Sequence, residues 1–168
     1  MVELMTTLSV IVLLMGAFLI MSASGRSELA LMRSAQKLAL DISRQQANAM
    51  SAKEVGGEVP CGYGVHFDTG VGDYILFADR ATGHDPDCSS QDFQLSSGEQ
   101  ILVNNLEAGV IVSGFNNSDI VFNPPEPQVY FYPGATAPAE VILQSLKTTK
   151  SVKVVVTLAG QIYIQRIQ

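Results

Sequence analysis

Residues 4–25, LMTTLSVIVLLMGAFLIMSASG, carry no charged side chain, and this 22-residue run constrains the fold more than any other feature. As a helix rising about 1.5 Å per residue it would reach roughly 33 Å, enough for a hydrocarbon core of about 30 Å. The run therefore predicts a membrane-spanning helix. A cleaved signal peptide is the competing reading, because MSASGRS supplies small residues before the first base. Such a peptide would start with a basic region and a shorter apolar core, whereas Glu3 is the sole charge ahead of Arg26. The run also explains a mean hydropathy of +0.24 in a chain of which only 15% is charged, against about 25% in ordinary soluble domains.

Beyond Arg26 the helical signal continues without Pro or Gly to Glu54, and Gly56-Gly57 predict its end. Leu31, Ala35, Leu38, Ile42 and Ala49 share one stripe at helical spacing, predicting helix packing, while Arg33, Lys37, Asp41, Arg44 and Asn48 fall mostly on the other side. A membrane segment followed by a separate surface helix is the alternative. The expected organisation is thus a spanning half-helix over 1–25, an amphipathic half over 26–57 and a β-rich head over 58–168.

From Glu58 the pattern changes to short runs of Val, Ile, Phe and Tyr between Gly, Pro, Asn and Asp clusters. Nine strands are predicted: Gly62–Phe67, Tyr74–Ala78, Gln100–Asn104, Val110–Gly114, Ile120–Asn123, Val129–Tyr132, Glu140–Gln144, Val152–Leu158 and Gln161–Gln165. No helical pattern separates them, so the fold class is α+β: a long N-terminal helix followed by a mostly antiparallel sheet or sandwich. The head has twelve acids and five bases, a charge of −7, while the amphipathic half is +2 and the whole chain −6. That sign opposes a nucleic-acid partner, which selects for a basic face.

Met1-Val2-Glu3-Leu4-Met5-Thr6-Thr7-Leu8-Ser9-Val10, followed by an apolar and then amphipathic helix, resembles the start of mature type IV pilins and type II secretion pseudopilins. An apolar strand before Pro133-Gly134, then VILQSL and a closing VKVVVTLAGQIYIQR, is similar to the GspH/FimT-like minor pilins. The family acid stands fifth in the mature chain and here third, and no basic leader precedes it. The expectation is that a leader and two mature residues lie upstream; its bases would also restore an orientation that Arg26, Arg33, Lys37 and Arg44 otherwise oppose.

The resemblance implies a non-catalytic subunit of a type IV pilus, type II secretion or competence filament. Its implied partners are other pilin or pseudopilin subunits, an inner-membrane assembly platform, prepilin peptidase and membrane lipid. It implies a single pass through the bacterial inner membrane with the head periplasmic or extracellular, and a place at initiation or the tip. Glu3 would pair with the N-terminal amine of a neighbouring subunit. A membrane-anchored binding module that never polymerises and a secreted β protein are the alternatives.

Cys61 and Cys88 are the only cysteines. In an oxidising compartment they can form one disulfide, whose loop closure would contribute about 3.6 kcal/mol; two free thiols are the alternative. The loop from Asp79 to Asp92 is the most polar stretch, and Asp85, Asp87 and Asp92 offer oxygens to calcium. Their spacing does not fit an EF-hand, so a solvated loop is preferred and no metal or other cofactor is expected. His66 and His84 are the only histidines, and no serine sits in a nucleophile elbow, so no catalytic residue is expected.

Overall fold

The computed structural model describes residues 2–81, 88–126, 128–134 and 138–167, and of residues 2 and 17–24 the backbone alone. Asp85, Asp87 and His84, singled out above, lie outside the described residues, as does Met1 with its amine. The backbone is helical through α1 (Val2–Met50), the one helix among the described residues. It ends six residues before the glycine pair. The Lys53 N–H reaches the Asn48 carbonyl at 3.1 Å and the Ala52 N–H reaches that of Ala49 at 3.1 Å, with Ala52 at φ +43°. This paired closure satisfies the last carbonyls, and a left-handed residue is what it demands. Tyr63 Oη then donates to the Lys53 carbonyl and holds the exit. Gly56 and Gly57 serve instead the turn between Val55 and Glu58.

The expected membrane-spanning half is corrected by the structure. Among the described residues no helix is long and apolar enough to cross a membrane. Glu3, Thr6, Thr7 and Ser9 dilute the apolar character of the first turns of α1. The inner-membrane, single-pass placement built on residues 4–25 is corrected with it.

Nine strands follow: β1 (Gly62–His66), β2 (Asp73–Asp79), β3 (Gln100–Asn105), β4 (Val110–Phe115), β5 (Asp119–Asn123), β6 (Gln128–Tyr132), β7 (Ala139–Ser145), β8 (Ser151–Val156) and β9 (Ile162–Ile167). They form two antiparallel sheets, one in the order β3-β2-β1-β5-β6 and the other β4-β7-β8-β9. The alternation of β7 shows why: Ala139, Val141, Leu143 and Ser145 are buried while the residues between them are half-buried. The shared core takes Tyr63, Val65, Ile120 and Phe122 from the first sheet and Val112, Val141, Leu143, Val154 and Val156 from the second.

The second half of α1 closes this core. Leu31, Ala35, Leu38, Ile42 and Ala49 are at most 1% exposed, and the helix packs on β1, β5 and all four strands of the second sheet. Asp41, placed on the polar side by its spacing, is also buried. Its Oδ2 accepts hydrogen bonds from Tyr74 Oη at 2.6 Å and Asn104 Nδ2 at 2.8 Å, so the head supplies what water would have supplied. Gln45 Nε2 donates to the Gly64 carbonyl and Gln46 Nε2 to that of Gly160, both at 3.3 Å. Gly160 occupies a left-handed turn position, and a Cβ there would collide with the Gln46 amide. Turn and helix docking thus require the same glycine.

Candidate functional site: an exposed apolar stem and an acidic cluster on the head

The first half of α1 shows the head nothing of the pattern seen in the second. Leu4, Met5, Leu8, Val10, Ile11, Val12, Leu13, Leu14 and Met15 are each 53–79% exposed. Ordinary surfaces scatter single apolar residues, whereas a contiguous band of this size marks an interaction surface. Three hydroxyls that would interrupt the band are turned inward. Thr6 Oγ1 donates to the Glu3 carbonyl at 2.9 Å, Thr7 Oγ1 to Leu4 at 3.0 Å and Ser9 Oγ to Thr6 at 2.9 Å. Their polarity is met inside the helix, leaving methyl and methylene groups outward. Glu3 sits in the first turn, where the positive end of the helix dipole favours a carboxylate. It is exposed. The stem is therefore an apolar rod with one acid near its tip.

Where the helix meets the head, ion pairs fasten it. Glu28 Oε2 lies 2.6 Å from Lys150 Nζ, and its Oε1 lies 3.7 Å from Arg166. The Lys150 hydrogen bond pulls the Glu28 carboxyl below its ordinary range. Both groups are exposed, so the contact orients more than it stabilises.

Cys61 and Cys88 are joined in a disulfide with Cα atoms 5.6 Å apart. The bridge ties the segment over 88–99 to the start of β1, and more contacts hold that segment down. Phe93 stacks on Tyr130 with ring centroids 4.3 Å apart, and the Leu95 N–H reaches Asp119 Oδ1 at 3.1 Å. Under this segment Asp79, at the end of β2, meets Asp92 and Glu99, one carboxylate oxygen of each lying within 4.8 Å of the others. Burial pushes the Asp79 carboxyl up to about 7; the Gln91 hydrogen bond works against this, and the charges of Glu99 and Asp92 add to it. Of the three acids offered as calcium ligands by the sequence, Asp92 is the one the structure describes in this cluster. The sequence did not point to Asp79 and Glu99 beside it: they meet because β2 and β3 run antiparallel, and no local spacing signals that.

His66 lies at the end of β1. Its Nδ1 is 2.8 Å from Asp119 Oδ1 and its Nε2 3.6 Å from Asp68. The Asp119 hydrogen bond raises the imidazole above its ordinary value against the opposing effect of burial. Ser118 Oγ also bonds Asp119, at 2.7 Å. The serine thus contacts the carboxylate and not the imidazole, and that order cannot pass a serine proton to histidine.

No known protein family matches the chain by sequence, and no curated protein does. Among solved structures the chain resembles the minor pseudopilin EpsH from the type 2 secretion system of Vibrio cholerae. The match has a TM-score of 0.47 at 14% identity and covers 81% of this chain and 96% of that one. No residue role passes through a likeness of this degree.

Proposed function

We propose that the chain is a non-catalytic filament subunit of the minor pilin or pseudopilin kind, which joins other such subunits through the exposed half of α1. The observation that carries this reading is the split in one helix. Residues 27–49 bury a stripe on their own head, while nine large apolar side chains between Leu4 and Met15 stay exposed. Burying a side chain of that type is worth roughly 1.5–3 kcal/mol, so a bundle of such stems has a strong drive to form. The sequence resemblance to pilins names the occupant, namely the equivalent stems of neighbouring subunits. In a dry bundle an unpaired Glu3 would be penalised, and the amine of an adjacent subunit would relieve it and fix the axial register. The two sheets then form the outward-facing part, whose −7 charge favours a protein or solvent-facing role over capture of DNA.

Leu8 and Val12 lie one turn apart on the exposed stem, and a Leu8→Lys, Val12→Lys double variant tests the reading. In cells that make the partner subunits, the variant is expected to disappear from sheared filaments while its head unfolds at the wild-type temperature. Wild-type recovery of the double variant in filaments would overturn the assembly role. Glu3→Leu separates the finer point: loss of incorporation supports the amine pairing, and normal incorporation removes that role from Glu3 while leaving the stem's intact.

A further inference from the structure

The acidic cluster under the 88–99 segment has no part in the assembly reading. We propose that Asp79, Asp92 and Glu99 form a binding site for a hard divalent cation of the calcium type, which clamps this segment onto the β2 end of the first sheet.

These carboxylates already have hydrogen-bond partners. Asp79 Oδ2 accepts hydrogen bonds from Gln91 Nε2 at 2.9 Å and the Phe93 N–H at 3.1 Å. Asp92 accepts from the Gln94 N–H at 3.3 Å, Gln94 Nε2 at 3.1 Å and Ser96 Oγ at 2.9 Å. Glu99 accepts from the Arg80 N–H at 2.8 Å and the Ser96 N–H at 2.7 Å. Every one of these donors is neutral. Among the described residues no lysine or arginine pairs with the three acids, and the Arg80 guanidinium is turned to the Val55 carbonyl at 3.3 Å. Asp79 Oδ1 stands apart from these contacts. Asp79 is wholly buried, and this oxygen has no hydrogen-bond partner. A buried carboxylate oxygen without a donor is costly, and more so beside two other acids.

The donor set selects the ligand. It consists of oxygen alone, with no imidazole or thiolate, which suits calcium or magnesium and not zinc. Calcium holds oxygens at about 2.3–2.6 Å, so two on opposite sides of one ion stand roughly 4.6–5.2 Å apart. Three oxygens within 4.8 Å of one another therefore fit inside a single calcium shell. Magnesium requires a tighter, near-octahedral set at about 2.1 Å, which three carboxylates already committed to backbone and side-chain donors do not offer. The surroundings are built for close approach as well. A Cβ on Gly62 would stand 2.5 Å from Val121 Cγ1 and 2.7 Å from Gln91 Nε2, so glycine beside Cys61 leaves room for the amide that aligns Asp79.

The test uses the full chain, stripped with EDTA and titrated at pH 7.5 with calcium chloride and, separately, magnesium chloride. One calcium per chain is expected by calorimetry, with a rise in melting temperature that grows with calcium concentration and is weaker in magnesium. Glu99→Gln and Asp79→Asn keep side-chain shape, and each is expected to weaken calcium binding by at least about tenfold. No heat and no melting shift in wild-type protein up to about 10 mM calcium would overturn the site. So would an equal shift in wild type and both variants, because the ion would then act elsewhere.

Discussion

The two halves of α1 share one backbone and solve opposite problems. Between Glu3 and Gly16 the polar groups are met within the helix, by hydroxyls bonding back one turn, and the apolar groups face outward. Between Ser27 and Ala49 a stripe of apolar groups faces inward, and the buried Ser34, Asp41 and Gln45 are met by the head. Ser34 Oγ accepts the Glu107 N–H, Lys37 Nζ donates to the Asn105 carbonyl, and Asp41 receives Tyr74 and Asn104. Helix formation does not distinguish the halves; the location of polar partners does. A half whose buried polar groups find partners 19 to 73 residues away belongs to its own fold. A half whose polar groups are satisfied locally is free to join another.

The largest expected effect tests that contrast directly. Leu38 is fully buried and Leu13 is 74% exposed on the same helix. Leu38→Ala should lower the unfolding free energy by about 2–5 kcal/mol, through lost transfer energy and the cavity left behind. Leu13→Ala should stay within roughly 0.5 kcal/mol. Urea unfolding of both variants, followed by tyrosine fluorescence of the head, measures the two together. Comparable losses would show that the stem folds onto its own head and would break the contrast.

A second test concerns pH, through His66 and Asp79 on the head, whose pKa values are both raised. His66 has a folded-state value above its ordinary 6.5, first because of the Asp119 hydrogen bond. Its contribution is full below about pH 6.5 and is lost as pH rises through the folded value. Asp79 is raised from 3.8 to about 7, chiefly by burial, and has the same sign: stability is present below about 3.8 and falls as pH climbs to about 7. In EDTA the head should therefore lose stability between pH 4 and 8, by less than about 1.4 kcal/mol per pH unit for each group. His66→Gln should flatten the upper part of the profile and Asp79→Asn the lower, while the Leu8→Lys, Val12→Lys variant leaves both unchanged. A flat wild-type profile would contradict both assignments.

Legibility in the sequence followed the range of the interactions. The stripe Leu31, Ala35, Leu38, Ile42 could be read from period alone, and each of the nine strands lies where short β-branched runs meet turn residues. The strand order could not: β5 returns to pair with β1 across more than fifty residues, and no local pattern encodes that return. Asp41 looked solvent-facing because its partners Tyr74 and Asn104 come from β2 and β3. Asp92 stood out as an acid in the polar loop, but Asp79 and Glu99 join it through strand pairing and a disulfide. The uncharged run over 4–25 shows the limit of counting charges: a stretch without Asp, Glu, Lys or Arg past Glu3 still holds Thr6, Thr7 and Ser9, and among the described residues no helix is long and apolar enough to cross a membrane.

The smallest expected effect lies where the docked half of α1 ends. Ala52 adopts φ +43°, and the two closing hydrogen bonds depend on that conformation. An L-residue with a Cβ pays roughly 1–2 kcal/mol there, which glycine avoids. Glycine also gives the unfolded chain more freedom, which takes back about 0.4–1 kcal/mol. Ala52→Gly should therefore stabilise the head by a net of about 0.5 kcal/mol, and Ala52→Val, with a branched Cβ in the same conformation, should destabilise it. Because Tyr63 anchors the Lys53 carbonyl just beyond this turn, the gain should register in unfolding of the head and leave filament incorporation untouched. A change in incorporation with either variant would extend the proposed assembly surface from the exposed stem to the exit of the helix.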